Sequence, residues 1–125
     1  MSTETFTWAD FDAAIKLLVE KFVRAGLRPA SVYGIPRGGL IVAVTLCHQL
    51  GLPLLTDAGE IGPDTLVVDD ICDSGKTLLP YVGKCTTAAL HVVPGACVRP
   101  DFFARVRVSD WVIYPWEANS GQTKS

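Results

Sequence analysis

Residues 67–77 read VVDDICDSGKT, and this stretch decides the fold and the chemistry expected of the chain. Its opening is apolar and β-branched, which predicts a buried strand over residues 65–68. That strand delivers three carboxylates within five residues, Asp69, Asp70 and Asp73. Three acids directly after a buried strand are costly without a ligand, so the pattern indicates a binding site.

The second half of the stretch suits a phosphate. Residues 75–84 are predicted to form a helix that Ser74 and Gly75 open, with Pro80 bending or shortening it. Backbone N–H groups and the positive end of the helix dipole would then cradle an anion. The hydroxyls of Ser74 and Thr77 add two donors. The preceding carboxylates can accept hydrogen bonds from a vicinal diol or hold Mg²⁺, and a phosphorylated sugar presents both features.

Other phosphate motifs do not fit this stretch. A P-loop would need glycine where Asp70 stands, and no GxGxxG fingerprint occurs in the chain. A solvated turn, in which Asp and Ser side chains cap a helix, is the alternative that needs no ligand.

Strands and helices are predicted to alternate around this stretch. Apolar residues recur every three or four positions in residues 8–25, which predicts an amphipathic helix, and a second helix is predicted at Gly38–Leu50. The predicted strands are residues 31–35, 54–55, 65–68, 88–93 and 111–114. That order predicts an α/β fold with a mainly parallel sheet and helices on both faces.

Two turns are expected to meet at one edge of this sheet. Residues 34–39 and 69–77 each follow a predicted strand directly. In open parallel sheets ligands bind beyond the carboxyl ends of the strands, so the two turns are expected to form one site.

The composition narrows the class of protein. The 125 residues, 49 % hydrophobic and 19 % charged, predict a single globular domain over residues 1–125, with a disordered tail at about 119–125. Eleven basic against thirteen acidic residues give no electrostatic footprint for nucleic acid. No apolar run has the ~20 residues that span a bilayer, and the N-terminus has no signal core. The four cysteines form no CxxC pair, which favours reduced thiols in the cytoplasm.

Residues 67–77 resemble the motif that binds 5-phosphoribosyl-1-pyrophosphate (PRPP) in the type I phosphoribosyltransferases, and their ending is most similar to the 6-oxopurine branch. The resemblance implies that Asp69 and Asp70 hold the ribose hydroxyls of PRPP and help to hold Mg²⁺. It implies that Asp73 transfers a proton near N7 of a purine. The 5′-phosphate would be held by Asp73, Ser74, Gly75, Lys76 and Thr77.

A second segment, residues 33–40, reads YGIPRGGL. Its arginine can grip a phosphate bidentately, and its paired glycines let backbone N–H groups approach. Taken alone, these residues fit an ordinary glycine turn equally well. The segment resembles the family's pyrophosphate loop, which implies a cis peptide bond between Pro36 and Arg37. In this resemblance the loop residues Pro36, Arg37, Gly38 and Gly39 bind pyrophosphate, and Arg37 offsets the charge of the leaving group.

A third segment, residues 110–117, reads DWVIYPWE. It resembles the small hood that covers the base in the 6-oxopurine branch. The resemblance implies that Trp111 stacks on the base and that the backbone of Val112 contacts the edge of the base. It places Glu117 near the metal and pyrophosphate. From the residues alone, a core position for Trp111 is the alternative.

Two departures from the family bear on activity. Residues 54–66 are short where the family has a long mobile loop, which predicts a wetter site and slow turnover. Val93 stands at the base-binding position where the family carries a lysine for the purine 6-oxo group. Modest base selectivity is therefore expected, unless Arg99 or a backbone amide supplies the missing donor.

These observations predict a Mg²⁺-dependent phosphoribosyltransferase that joins a nucleobase to the ribose 5-phosphate of PRPP. The favoured nucleobase is a 6-oxopurine. A non-catalytic regulatory protein that binds PRPP or a nucleotide on the same fold is the alternative. The predicted partners are small molecules rather than nucleic acid or a membrane. A homodimer is compatible with the apolar pair Phe102 and Phe103, which core packing explains equally well.

Overall fold

The structure is a computed structural model that describes residues 2–117, so the tail predicted to be disordered at 119–125 lies outside the described residues. The elements are β1 Thr3–Thr5, α1 Trp8–Arg24, β2 Ser31–Gly34, α2 Gly38–Leu50, β3 Leu54–Leu55, β4 Thr65–Cys72, β5 Thr86–Val92, β6 Phe102–Val106 and β7 Trp111–Ile113. Five strands form a parallel sheet in the order β3–β2–β4–β5–β6, and β1 pairs with β7 in a separate parallel ladder. The predicted α/β class with a parallel sheet is confirmed.

Helix α1 follows from local signals. Thr7 caps it in a reciprocal box with Asp10, whose carboxylate accepts the backbone N–H of Thr7. Its buried face comprises Phe11, Ala14, Ile15, Leu18 and Phe22. Neither helix of residues 2–117 is long and apolar enough to cross a bilayer.

Both helices lie on one face of the sheet, so the prediction of helices on both faces is wrong. Leu66 and Val68 of β4 share a core with the apolar sides of α1 and α2. Val67, which points the other way, packs in a second cluster with Leu78 and Ala89. Within residues 2–117 the opposite face is therefore covered by turns, loops and a short 3₁₀ helix rather than by an α-helix.

The helix predicted at residues 75–84 does not form. The segment contains turns and a single short 3₁₀ helix, Leu79–Tyr81. Gly75 and Gly83 have φ of +92° and +78°, and Pro80 lacks the N–H that a continued helix would need. The residues predicted to bind the 5′-phosphate are consequently presented by a turn without a helix dipole.

Two strands were missed in the sequence. β1 is short and polar, and it is a strand because Thr3–Thr5 pairs in register with Trp111–Ile113. β6 closes the sheet beside β5 and carries charged as well as apolar residues. The β1–β7 ladder ties the start of the chain to the hood that covers the predicted base site.

Candidate active site

The glycine-rich loop after β2 lies directly against the carboxyl end of β4. β2 and β4 are parallel neighbours, with Gly34 opposite Val68. A Cβ on Gly39 would lie 2.6 Å from the backbone oxygen of Val68, and one on Gly38 would overlap the Asp70 carboxylate. The peptide bond between Pro36 and Arg37 is cis, as the resemblance implied. Only glycine allows this loop to approach the acidic pair so closely.

The adjacent acids Asp69 and Asp70 differ in how far they are buried. Asp69 is 8 % exposed, and one of its carboxylate oxygens accepts the backbone N–H of Asp70 at 2.8 Å. Asp70 is half-buried and accepts the N–H of Ile71 at 2.8 Å. Burial, then the hydrogen bond and the charge of Asp70, raise the pKa of Asp69 to about 8. The chain thus holds the pair with less than its full negative charge near neutral pH.

The raised pKa predicts a pH dependence of stability in the absence of metal. Because the pKa of Asp69 rises from 3.8 to about 8 on folding, its protonated form favours the fold, and this contribution is lost as pH rises through about 8. We expect a lower melting temperature at pH 9 than at pH 6 in EDTA. Asp69→Asn should reduce this loss, whereas the exposed control Asp64→Asn should not. Equal losses in both variants would contradict the assignment.

The segment predicted to bind the 5′-phosphate is an exposed turn anchored at its glycine. The backbone oxygen of Ser74 accepts the N–H of Cys97 at 2.7 Å, and its hydroxyl accepts the N–H of Lys76 at 3.2 Å. Gly75 is buried with a positive φ, and a Cβ there would lie 2.8 Å from the backbone nitrogen of Val98. Lys76 and Thr77 are exposed, so the ammonium group of Lys76 and the hydroxyl of Thr77 can contact an anion that binds at this turn.

One cavity of about 210 Å³ brings together some of the residues predicted for the base, the proton transfer and the metal, whereas Asp69 and Val93 do not line it. Its lining residues are Asp70, Ile71, Asp73, Arg107, Trp111, Val112, Tyr114 and Glu117. Carboxylates from the end of β4 and residues of the hood therefore line the same cavity. Trp111 is half-buried, and its indole N–H has no acceptor within residues 2–117.

Tyr114 connects the hood to the acidic pair. Its hydroxyl donates to the backbone oxygen of Asp70 at 3.3 Å and lies 2.8 Å from Nδ1 of the buried His91. Its backbone N–H donates to the Glu117 carboxylate at 2.8 Å, and its ring stacks on Trp116 with centroids 4.7 Å apart. Burial raises the pKa of Tyr114, so the phenol stays protonated and can keep donating.

The structure places Val93 apart from the hood. Val93 and Arg99 line another cavity, of about 190 Å³, beside the end of β5. The Val93 N–H donates to the backbone oxygen of Cys72 at 2.9 Å, and the guanidinium of Arg99 lies 5.1 Å from the ring centroid of Phe103. A contact between Val93 and a base stays a prediction.

Arg107 is the charged cavity residue that the sequence did not reveal. The available signal was the pair of arginines in Arg105-Val106-Arg107, just before the hood. Arg105 forms ion pairs with Glu4 at 3.2 Å and Asp10 at 3.5 Å. Within residues 2–117 Arg107 has no such pair, and its Nε is buried without an acceptor.

Comparison with known proteins identifies the family. No family model matches the chain. A purine phosphoribosyltransferase from Pyrococcus horikoshii Ot3 has a structure similar to this one, with a TM-score of 0.80 and 30 % identity over 94 % of this chain and 96 % of that chain. The chain belongs to the type I phosphoribosyltransferase family. The resemblance first seen in residues 67–77 is thereby confirmed.

One further relative of this phosphoribosyltransferase carries a 6-oxopurine name, and another solved structure shares its fold. A xanthine-guanine phosphoribosyltransferase from Gluconobacter oxydans is 28 % identical over 143 residues, which cover 90 % of this chain and 83 % of that protein. The xanthine-guanine-hypoxanthine phosphoribosyltransferase of Helicobacter pylori, 20 % identical, shares the fold with a TM-score of 0.78 over 93 % of this chain and 94 % of its own. Both relatives are named for 6-oxopurines, the branch that the DSGKT ending resembles.

Proposed function

We propose that this phosphoribosyltransferase transfers ribose 5-phosphate from PRPP to a 6-oxopurine and releases pyrophosphate. The observation that carries the proposal is the 210 Å³ cavity, which Asp70 and Asp73 line together with Trp111 and Val112. The glycine loop that would hold pyrophosphate lies against Asp70. Ribose, base and leaving group would thus meet at one end of the sheet.

The reaction exchanges one bond at C1 of the ribose for another. The bond from C1 to a pyrophosphate oxygen breaks as a bond from C1 to a ring nitrogen of the base forms. The base loses one proton, which we assign to Asp73 because it is the exposed carboxylate of the cavity. Arg37 and the N–H groups of Gly38 and Gly39 would stabilise the departing pyrophosphate. Trp111 would hold the base by stacking.

The donor set fits Mg²⁺ brought in with the substrate. Among residues 2–117, no three His, Cys, Asp or Glu side chains group so as to hold a metal by themselves. Mg²⁺ commonly binds through one or two carboxylates together with substrate phosphates. Asp69 and Asp70 would provide these carboxylates, with Glu117 across the cavity as a further contributor. When bound, Mg²⁺ would offset the charge of pyrophosphate.

The wider setting is part of the same proposal. The four cysteines are free thiols, which suits the reducing cytoplasm. The predicted homodimer stays a prediction, and both phenylalanines considered for it have partners within the chain. The ring of Phe102 lies 5.0 Å from that of Phe22, and Phe103 lies beneath the cations of Lys21 and Arg99.

The test is pyrophosphate release from PRPP and Mg²⁺ with hypoxanthine, guanine, xanthine or adenine, with EDTA as the control. Release that depends on an oxopurine supports the proposal. PRPP binding without release for any base would favour the regulatory alternative. Residues 54–66 contain a two-residue strand, one 3₁₀ turn, Ala58–Glu60, and the first two residues of β4, in place of a long loop. We therefore also expect slow turnover and measurable hydrolysis of PRPP when no base is added.

Trp111→Ala should weaken binding of the nucleotide product far more than binding of PRPP. Loss of one stacking platform costs about 1–3 kcal/mol, or roughly 5- to 150-fold in the dissociation constant. Calorimetry with IMP and with PRPP measures both affinities. Trp8→Ala, at a 54 % exposed indole outside the cavity, is the matched control. Equal weakening of both ligands would make Trp111 a core residue.

A further inference from the structure

Arg107 brings a guanidinium to the proposed base cavity. It directly follows β6, and its backbone N–H donates to the oxygen of Val92 in β5 at 2.9 Å. The sheet therefore positions this residue, while its side chain lines the cavity beside Asp73, Trp111 and Val112. A side chain that starts from a fixed strand end is well placed to select a ligand.

The guanidinium of Arg107 lacks the partners that its neighbour has. Arg105, two residues earlier, is engaged by Glu4 and Asp10. Arg107 makes no ion pair within residues 2–117, and its buried Nε has no acceptor there. A buried N–H without a partner is unfavourable until an acceptor arrives. Among the residues described as lining this cavity, Arg107 is the sole cation.

The chemistry of the guanidinium defines the acceptor. All five of its N–H groups donate and none accepts, so it pairs with a carbonyl oxygen and not with an amino group. A 6-oxopurine offers an oxygen where adenine offers N–H donors. The family's lysine donor is absent at Val93, and Arg99 lines a different cavity against Phe103. Arg107 is the cationic donor that remains beside the hood among the residues that line this cavity.

We propose that Arg107 donates to the exocyclic oxygen of the base and makes this protein selective for oxopurines over aminopurines. The inference rests on the proposed function and deepens it. Val93 alone predicted modest base selectivity, whereas Arg107, directly after β6, predicts a strong preference for oxopurines. Arg107 acts here as a specificity-determining residue, and the transfer step itself is unchanged.

The experiment compares Arg107→Met with Arg107→Lys, and uses Arg99→Met as a matched control. The kcat/KM for hypoxanthine and for adenine is measured at saturating PRPP, together with the KM for PRPP. Losing a hydrogen bond from a charged donor predicts an approximately 10- to 150-fold drop for hypoxanthine in Arg107→Met. We expect the kcat/KM for adenine and the KM for PRPP to change by less than about threefold in the same variant. Arg107→Lys should retain part of the preference, and Arg99→Met all of it.

A second readout does not depend on turnover. The ratio of the IMP and AMP dissociation constants, measured by calorimetry, should favour IMP in the natural protein and fall toward one in Arg107→Met. If no base supports turnover, the proposed function fails, while this ratio still decides the role of Arg107. If Arg107→Met does not fold, a reduced ratio in Arg107→Lys supports the proposal and an unchanged ratio overturns it. Equal losses of kcat/KM for hypoxanthine and adenine in Arg107→Met would also overturn the proposal. A shift of base selectivity in Arg99→Met instead would do the same.

Discussion

Replacing Asp69 and Asp70 together by asparagine is expected to remove most of the rise in melting temperature that PRPP with Mg²⁺ produces. A ligand at 100 times its dissociation constant stabilises the native state by about 2.7 kcal/mol, which is roughly 10 °C for a domain of this size. The ribose hydroxyls and the metal both need carboxylate oxygens, and an amide supplies one oxygen in place of two. The double variant should show a shift of at most about 2 °C.

The double variant should nevertheless fold. The carboxylates of Asp69 and Asp70 each accept one backbone N–H, at 2.8 Å, and an asparagine oxygen can accept it equally. Loss of a buried carboxyl with a raised pKa also removes a source of instability at alkaline pH. Differential scanning fluorimetry with and without ligand measures the shift, and Asp12→Asn/Asp64→Asn is the exposed control pair. A full shift in the Asp69/Asp70 variant would show that these residues do not hold PRPP.

Gly39→Ala is expected to destabilise the fold and to disable the site at once. An added Cβ would lie 2.6 Å from the backbone oxygen of Val68, 3.2 Å from Cα of Asp69 and 3.3 Å from the carbonyl carbon of Gly34. All three are backbone atoms, so relief requires α2 to move away from β4. Overpacking of this kind costs about 1–3 kcal/mol, and the same movement carries the pyrophosphate loop away from the acids.

Urea denaturation measures the loss of stability, and the KM for PRPP measures the effect of displacing the loop proposed to bind pyrophosphate. We expect this KM to rise at least about 10-fold, because a displacement of about 1 Å would separate the loop from the acids with which it is proposed to bind PRPP. Gly62→Ala is the control, since no heavy atom lies within 4 Å of a Cβ there and its φ needs no glycine. That change should stay within about 0.5 kcal/mol. A fully stable and active Gly39→Ala would mean that α2 is seated farther from β4 than the structure has it.

Local signals in the sequence determined α1, α2, β4 and the family. The capping box of Thr7 and Asp10 and the spacing of the apolar residues act within one helix, so they can be read without knowing the fold. Residues 67–77 are equally local, because one strand and one turn carry all three acids. The cis bond at Pro36–Arg37 was foreseen through the family resemblance and is present.

Contacts between distant residues decided the rest. Residues 75–84 had helical composition in part, but Gly75 is held at a φ of +92° against Val98, some twenty positions later, and Pro80 removes a donor. β1 is a strand because β7 pairs with it, a partner more than one hundred positions away. Arg107 and Val93 are fourteen positions apart, yet Arg107 lines the hood cavity while Val93 lines a different one. Which charge lines the proposed base cavity is set by the meeting of separate strands, and no local pattern encodes that meeting.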